Sequence, residues 1–278
     1  MDKISLKIQL LYDSMGKAEK KIADWIFQNP GKIISLSIVE LAEQCKCSEA
    51  TIVRFSKKLG LDGYQGLKIS IASESGTSIV STNVSFEDSI FTMFEKVCNE
   101  IYCSLELTKK SLSSENLESA AKKISNAKKI SIFGLGNSAA IALDASHKFL
   151  RAGLNSVAYS DNHMQVIAAS HMSDGDVAIA ISHSGSSKDI VEALKIARDH
   201  GATTIAISNR GKSPIDKYSD IILSTSSNET EYNILALNSR IAQLAIIDTL
   251  YYYIAFNCSE NVLASIKETE RSLLSKKY

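Results

Sequence analysis

The hydrophobic period of this chain changes once, near Lys129, and that change constrains the fold more than any other feature. Beyond it, residues 129–133, 156–159, 177–181, 203–207 and 221–223 form short runs rich in β-branched side chains, with helical spacing between most of them. Strands that alternate with helices predict a parallel sheet carrying helices on both faces, a three-layer α/β domain. Ahead of Lys129 the apolar residues recur at helical spacing, which predicts an all-α N-terminal region. Ligands of a doubly wound sheet gather at the carboxyl ends of its strands, so a site is expected in the segments that follow the β runs.

Two of those segments carry chemistry. After 177–181 the chain gives Ser182-His183-Ser184-Gly185-Ser186-Ser187, and helical spacing resumes at Lys188. A hydroxyl-rich loop ahead of a helix offers N–H groups and side-chain oxygens at the positive end of the helix dipole, where a phosphate or other small anion is held without a lysine. After 129–133 comes Gly134-Leu135-Gly136-Asn137-Ser138-Ala139. Gly134 and Gly136 match a dinucleotide fingerprint, Ala139 fills its third glycine position acceptably, and Asp161 is a conceivable ribose acid. A second phosphate-type loop is no part of that pattern. Two such loops suit one compact ligand with a phosphate and several hydroxyls, so a sugar phosphate is favoured over NAD.

Composition narrows the class. With 278 residues, 45% of them hydrophobic, the chain is long enough for two domains and unlike a disordered, collagenous or membrane protein. Met1-Asp2-Lys3-Ile4-Ser5-Leu6-Lys7 alternates charged and apolar residues rather than forming a secretory signal, so a cytoplasmic location is expected. The longest apolar stretch, 241–256, is broken by Gln243 and Asp248 and falls short of the ~20 residues of a membrane span, so it is expected to be a core helix. Cys45, Cys47, Cys98, Cys103 and Cys258 lack the spacing of a disulfide framework or a zinc site. They are expected to be small buried residues in a reducing compartment, and no metal or cofactor is expected. Formal net charge is zero, so any contact with nucleic acid has to be local.

One local candidate exists. Helical spacing over 3–12 and 17–28 ends at Asn29-Pro30-Gly31; Ser37 with Glu40 then forms a capping-box pattern, Lys46 and Cys47 form a turn, and Ser48 starts a helix closed by Gly60. Leu41, Cys45, Cys47, Ile52 and Phe55 would bury between the two short helices, and Ala42 is small where they cross. Ser48, Thr51, Arg54, Lys57 and Lys58 would lie on the other side of the second helix. In a helix-turn-helix that helix enters the major groove: Arg54 would reach guanine N7 and O6, Thr51 a thymine methyl, and Lys57 and Lys58 phosphates. An ordinary helical hairpin with a solvated basic face fits the same spacing. Serine-rich residues 73–85 are a linker pattern, and 86–112 resumes an amphipathic stripe of Ile90, Phe94, Val97, Ile101 and Leu105 that would pack on the second domain or on a second copy.

Ser48-Glu49-Ala50-Thr51-Ile52-Val53-Arg54-Phe55 with Lys58-Leu59-Gly60 resembles the N-terminal DNA-binding domain of the RpiR family of bacterial transcription regulators. Gly134-Leu135-Gly136-Asn137-Ser138 with Ile181-Ser182-His183-Ser184-Gly185-Ser186-Ser187 resembles the sugar-isomerase (SIS) domain that follows it, and Glu229-Thr230-Glu231 and residues 239–248 resemble that family's C-terminal part. The resemblance implies a helix-turn-helix domain over 1–76, a linker over 77–89 and an SIS domain over 90–278. It implies a homodimer or homotetramer that binds double-stranded operator DNA and a small phosphorylated sugar, and does not enter a membrane. By the same analogy Ser138, Ser182, Ser184 and Ser187 would bind the phosphate, Gly185 would allow close backbone approach, and Gly136, Asn137 and Ser186 complete the ligand-binding set. Two departures stand out: Lys46 occupies a turn position that often carries glycine and so would take a positive φ, and Ser187 replaces a frequent threonine while keeping the hydroxyl.

The SIS fold also carries aldose-ketose isomerases, and fold does not decide function. An isomerase needs a general base beside the substrate, for which Glu229, Glu231, His163 and His183 are candidates by position alone. A recognition helix has no use in such an enzyme. The expectation is therefore a regulator without catalytic residues.

Overall fold

The helical spacing of the N-terminal part becomes α1 (Ile4–Leu11), α2 (Lys17–Gln28), α3 (Ile38–Cys45), α4 (Glu49–Lys58) and α5 (Gly63–Glu74). The computed structural model describes residues 4–29, 32–34, 36–74, 85–226, 239–258 and 260–274, in two compact units that divide mainly at Glu100 and Ile101, with Gly211–Ser213 counted in the first. Ile8, Ile22, Leu41, Ile52, Phe55 and Leu67 are fully buried in one cluster to which every one of these helices contributes. Burial of a side chain such as Phe55 contributes about 1.5–3 kcal/mol. No single helix here is long enough to be stable alone, so this shared core is what holds each of them.

Next comes α6 (Ile90–Ser111), whose second half belongs to the other unit. There the stripe expected at Ile101 and Leu105 is only half-buried, and Ser104 and Thr108 face inward instead. Thr108 explains the choice, because its Oγ1 donates to the Ser226 carbonyl and accepts from the Ser226 N–H at 2.9 Å. Cys98 and Cys103 fall outside that inward face and are exposed, against the expectation of buried cysteines; Cys45 is buried and Cys47 half-buried. Nearer the start of α6, Ile90, Phe91 and Phe94 are 84%, 66% and 62% exposed.

The α/β unit continues through α7 (Ser114–Ser125), β1 (Ile130–Gly134), α8 (Asn137–Arg151), β2 (Ser156–Tyr159), α9 (Asn162–Ser170), β3 (Val177–Ile181), α10 (Lys188–Asp199), β4 (Thr203–Asn209) and β5 (Ile221–Thr225). It ends with α11 (Ser239–Tyr253), one wider turn of helix at Ile254–Cys258, and α12 (Glu260–Leu274). The sheet is parallel throughout, in the order β2-β1-β3-β4-β5.

β1, β3 and β4 are buried on both faces of the sheet, and the two faces differ in size of residue. Ile130, Ile132, Val177, Ile179, Ile181, Ile205 and Ile207 point to the side covered by α7, α8, α11 and α12. Ala178, Ala180 and Ala206 point to the side of α9 and α10, whose own Ala168, Ala169, Ala193 and Ala197 meet them. Small residues on both partners let that second layer approach closely. β4 and β5 run past the expected 207 and 223 because Ser208–Ser224 and Asn209–Thr225 extend the backbone ladder without apolar side chains. Among the described residues, no helix is long and apolar enough to cross a membrane.

Candidate functional site

The pair α3–α4 is fixed by its caps. Ser37 Oγ accepts from the Glu40 N–H and Glu40 Oε2 accepts from the Ser37 N–H, the reciprocal capping expected from the sequence. Past the end of α3, Lys46 adopts φ 51° and ψ 50°, its N–H donates to the Glu43 carbonyl, and the Cys47 N–H donates to the Ala42 carbonyl at 2.9 Å. That is a Schellman ending with lysine in the left-handed position. The turn reverses the chain within two residues and delivers Ser48 as the N-cap of α4.

Ser48, Thr51 and Arg54 form a chain of contacts along one side of α4. Ser48 Oγ and Thr51 Oγ1 lie 2.8 Å apart, and Arg54 donates from Nη2 to Thr51 Oγ1 at 3.4 Å. Ile52 and Phe55 are on the opposite, buried side. Arg54 and Lys57 are exposed, as a groove-facing surface requires. Lys58 has other work: its Nζ bonds Glu19 Oε2 at 2.9 Å and the Ser14 carbonyl at 2.8 Å. The Lys58 ammonium and the Gly16 N–H hold the Glu19 carboxyl below its usual pKa, so this pair ties α4 to α2.

The second candidate lies at the carboxyl edge of the sheet. From β1 the chain proceeds to β2 on one side, while β3 lies on the other, so the order reverses between β1 and β3. That reversal opens the crevice in which α/β sheets bind ligands. Both hydroxyl-bearing loops leave from it, since Gly134 and Ile181 are partners at the ends of β1 and β3.

Each loop is built by close backbone packing. At Gly134 an added Cβ would stand 2.6 Å from the Ser138 carbonyl oxygen, so only glycine permits so tight a turn into α8. Gly136 caps that helix with no side chain, and Asn137 and Ser138 form its first turn, with the Ser138 N–H donating to the Leu135 carbonyl at 3.1 Å. In the other loop Gly185 takes φ 59°, a value L-residues rarely adopt. Its N–H donates to the Ser182 carbonyl and its carbonyl accepts from the Ile215 N–H. The Ser184 hydroxyl accepts from the Ser186 N–H, and the Ser186 hydroxyl donates to the Ser184 carbonyl. Ser187 caps α10 through its backbone, and its hydroxyl makes no capping bond. The first N–H groups of α8 and α10 therefore point outward from neighbouring strand ends, where partial positive charge accumulates. Lys188 and Asp189 bring opposite formal charges to the start of α10.

Other sequence candidates are placed differently. Asp161 is the N-cap of α9 and accepts from the Met164 N–H at 2.9 Å. His163 is exposed on the first turn of α9; His183 is half-buried, and its carbonyl accepts from the Asn209 N–H. Glu229 and Glu231 lie outside the described residues. One neighbour of the site was missed in the sequence. Gln165, fully buried on α9, donates from Nε2 to the Gly134 carbonyl at 3.2 Å and the Tyr159 carbonyl at 2.8 Å. A polar residue at an inward position, three and four residues before the buried Ala168 and Ala169, was its only signal.

Residues 3–78 match the model of the helix-turn-helix domain of the rpiR family, and residues 123–253 match that of the SIS domain. An HTH-type transcriptional regulator of Caldanaerobacter subterraneus is 38% identical over 97% of this chain and 96% of its own length. The HTH-type transcriptional regulator HexR of Pseudomonas aeruginosa is 32% identical over 98% and 96%. Among solved structures, the Vibrio vulnificus NanR protein complexed with ManNAc-6P has a TM-score of 0.84 at 21% identity, covering 99% of this chain and 100% of that one. The sugar isomerase domain of an RpiR transcription factor from Sphaerobacter thermophilus, at 22% identity, covers 64% of this chain with a TM-score of 0.58. Full-length likeness above 30% identity, with both domain types matched in the same order, makes this chain a member of the RpiR family of helix-turn-helix transcriptional regulators with a C-terminal SIS domain.

Proposed function

We propose that this regulator senses a small phosphorylated sugar at the carboxyl ends of β1 and β3 and converts its occupancy into a change of operator affinity. The observation that carries this reading is the pair of helix N-termini, α8 and α10, that leave neighbouring strands at the point where strand order reverses. Ser138, Ser182, Ser184, Ser186 and Ser187 supply hydroxyls there, Gly136, Asn137 and Gly185 supply backbone, and a phosphate is the anion such a cradle suits. The NanR protein, of the same fold, was solved with a phosphorylated sugar, which supports the ligand class. The DNA-binding domain is assigned to 1–76, with Ser48, Thr51, Arg54 and Lys57 facing the groove, the linker to 77–89 and the sensing domain to 90–278. The protein acts as a homodimer or homotetramer in the cytoplasm.

A thermal-shift screen of hexose and hexosamine phosphates, run beside the unphosphorylated sugars, tests the reading. A cognate ligand at 100 times its Kd stabilises by about 2.7 kcal/mol, a shift of several degrees. Equal shifts with the unphosphorylated sugars would remove the phosphate from the account. Incubation with the same phosphates should yield no isomer; turnover abolished by Glu229→Gln would place the protein among the isomerases.

A further inference from the structure

The β1–β2 ladder ends at the Phe133–Tyr159 pair. The Gly134 carbonyl lies one residue beyond it, at the carboxyl edge, and the Tyr159 carbonyl belongs to its last pair; buried carbonyls there need donors. Gln165 provides both donors from one amide, with Nε2 on the Gly134 and Tyr159 carbonyls. The amide has one possible sense, since turning it over would set its oxygen against two carbonyl oxygens. In the observed sense Oε1 is buried without a hydrogen-bond partner, so the side-chain hydrogen bonds of Gln165 are those of its donor end.

The position of the two acceptors gives the contact its meaning. Gly134 is the residue at which the chain turns into α8, and a Cβ added there would stand 2.6 Å from the Ser138 carbonyl oxygen, so the turn and the first turn of α8 pack backbone on backbone. Holding the Gly134 carbonyl therefore holds the turn that sets the N–H groups of Gly136, Asn137 and Ser138. The other end of the link is equally fixed. Asp161 caps α9, its carbonyl accepts from the Gln165 N–H at 3.0 Å, and Ala168 and Ala169 pack in one cluster with Ile190, Ala193 and Leu194 of α10. Since α10 begins at the serine loop, Gln165 connects the helix that supports one loop to the backbone of the other.

We propose that Gln165 is a positioning residue of the phosphosugar site, an amide clamp that presets the Gly134–Ser138 turn before ligand arrives. The inference rests on the sensor reading for its ligand, but the clamp itself is a property of the free protein. It makes no contact with ligand and acts through the two strand-end carbonyls.

The test compares Gln165→Leu and Gln165→Glu with Ala168→Gly, which loosens the same helix and leaves the amide alone. Two quantities are read on the full chain: hydrogen exchange at the Ser138 and Ala139 amides without ligand, and affinity for inorganic phosphate. Both Gln165 variants should exchange at these amides at least about tenfold faster and bind phosphate about tenfold more weakly, the effect expected of one neutral hydrogen bond. Ala168→Gly should change neither beyond its general loss of stability. Gln165→Glu keeps size and shape and, when protonated, donates to only one of the two carbonyls, so it reads the loss of a single bond if the leucine variant does not fold. Wild-type exchange and affinity in a folded Gln165 variant, or equal losses in Ala168→Gly, would overturn the proposal. Failure of the wild-type protein to bind phosphate would overturn the sensor reading and the ligand half of this inference, whereas the exchange rates judge the clamp by themselves.

Discussion

Thr51 already has two polar neighbours before any base is met. Its hydroxyl lies between Ser48 Oγ and Arg54 Nη2, so in the proposed groove contact the methyl group is left for a thymine and the guanidinium is steadied for a guanine. Arg54→Ala should weaken operator binding by about 1–3 kcal/mol and relax sequence preference at one position, while Lys57→Ala should lower the salt slope of binding by about 1 without changing preference. Titrations of operator and scrambled DNA at several salt concentrations measure both, and unchanged affinity in Arg54→Ala would remove α4 as the recognition helix. At the other site, Ser184→Ala deletes a hydroxyl that now accepts from Ser186 and would donate to phosphate. A hydrogen bond to a charged group contributes about 1.5–3 kcal/mol, so ligand affinity should fall by one to two orders of magnitude with DNA binding intact. An undiminished thermal shift in that variant would count against the serine loop. Lys58, grouped in the sequence with Lys57, shows why charge in a sequence does not reveal employment: a partner on α2, distant along the chain, claims it.

The turn between α3 and α4 departs most from residue preference. A lysine at φ 51° carries a Cβ in a conformation that costs about 1–2 kcal/mol for L-residues, and the Schellman bonds hold it there. Lys46→Gly should therefore stabilise the helical unit by about 1 kcal/mol in urea unfolding, with operator affinity retained; a loss of stability would show that the lysine side chain contributes more than its backbone costs. This strain was legible beforehand through the family resemblance, because Lys46 occupies a turn position that often carries glycine. The strands were equally legible: β3 is a pure apolar run that stops at serine. Gln165 was not, since its role depends on where two carbonyls from β1 and β2 end up, which no local spacing encodes. The exposure of Cys98 and Cys103 was hidden for a similar reason, as α6 chooses its inward face by the bonds Thr108 makes with Ser226.

On the scale of the molecule, Ile90, Phe91 and Phe94 leave an apolar surface at the start of α6 of the kind that marks an interaction site. The proposed homo-oligomer needs a contact between copies, and this surface is a candidate for it. Phe91→Ser combined with Phe94→Ser should lower the mass seen by light scattering; an unchanged mass would assign self-association elsewhere. The sheet has a different consequence at this scale. All five strands point the same way, so every segment that leaves a strand does so at one edge, and every turn that enters β2, β3 or β4 lies at the opposite one. Evolution can thus rewrite the vocabulary of the sensor without disturbing its grammar. Grafting the segments after β1 and β3 from a relative that answers a different metabolite should retarget the proposed sensor while the isoleucine and alanine layers packed on the sheet stay as they are.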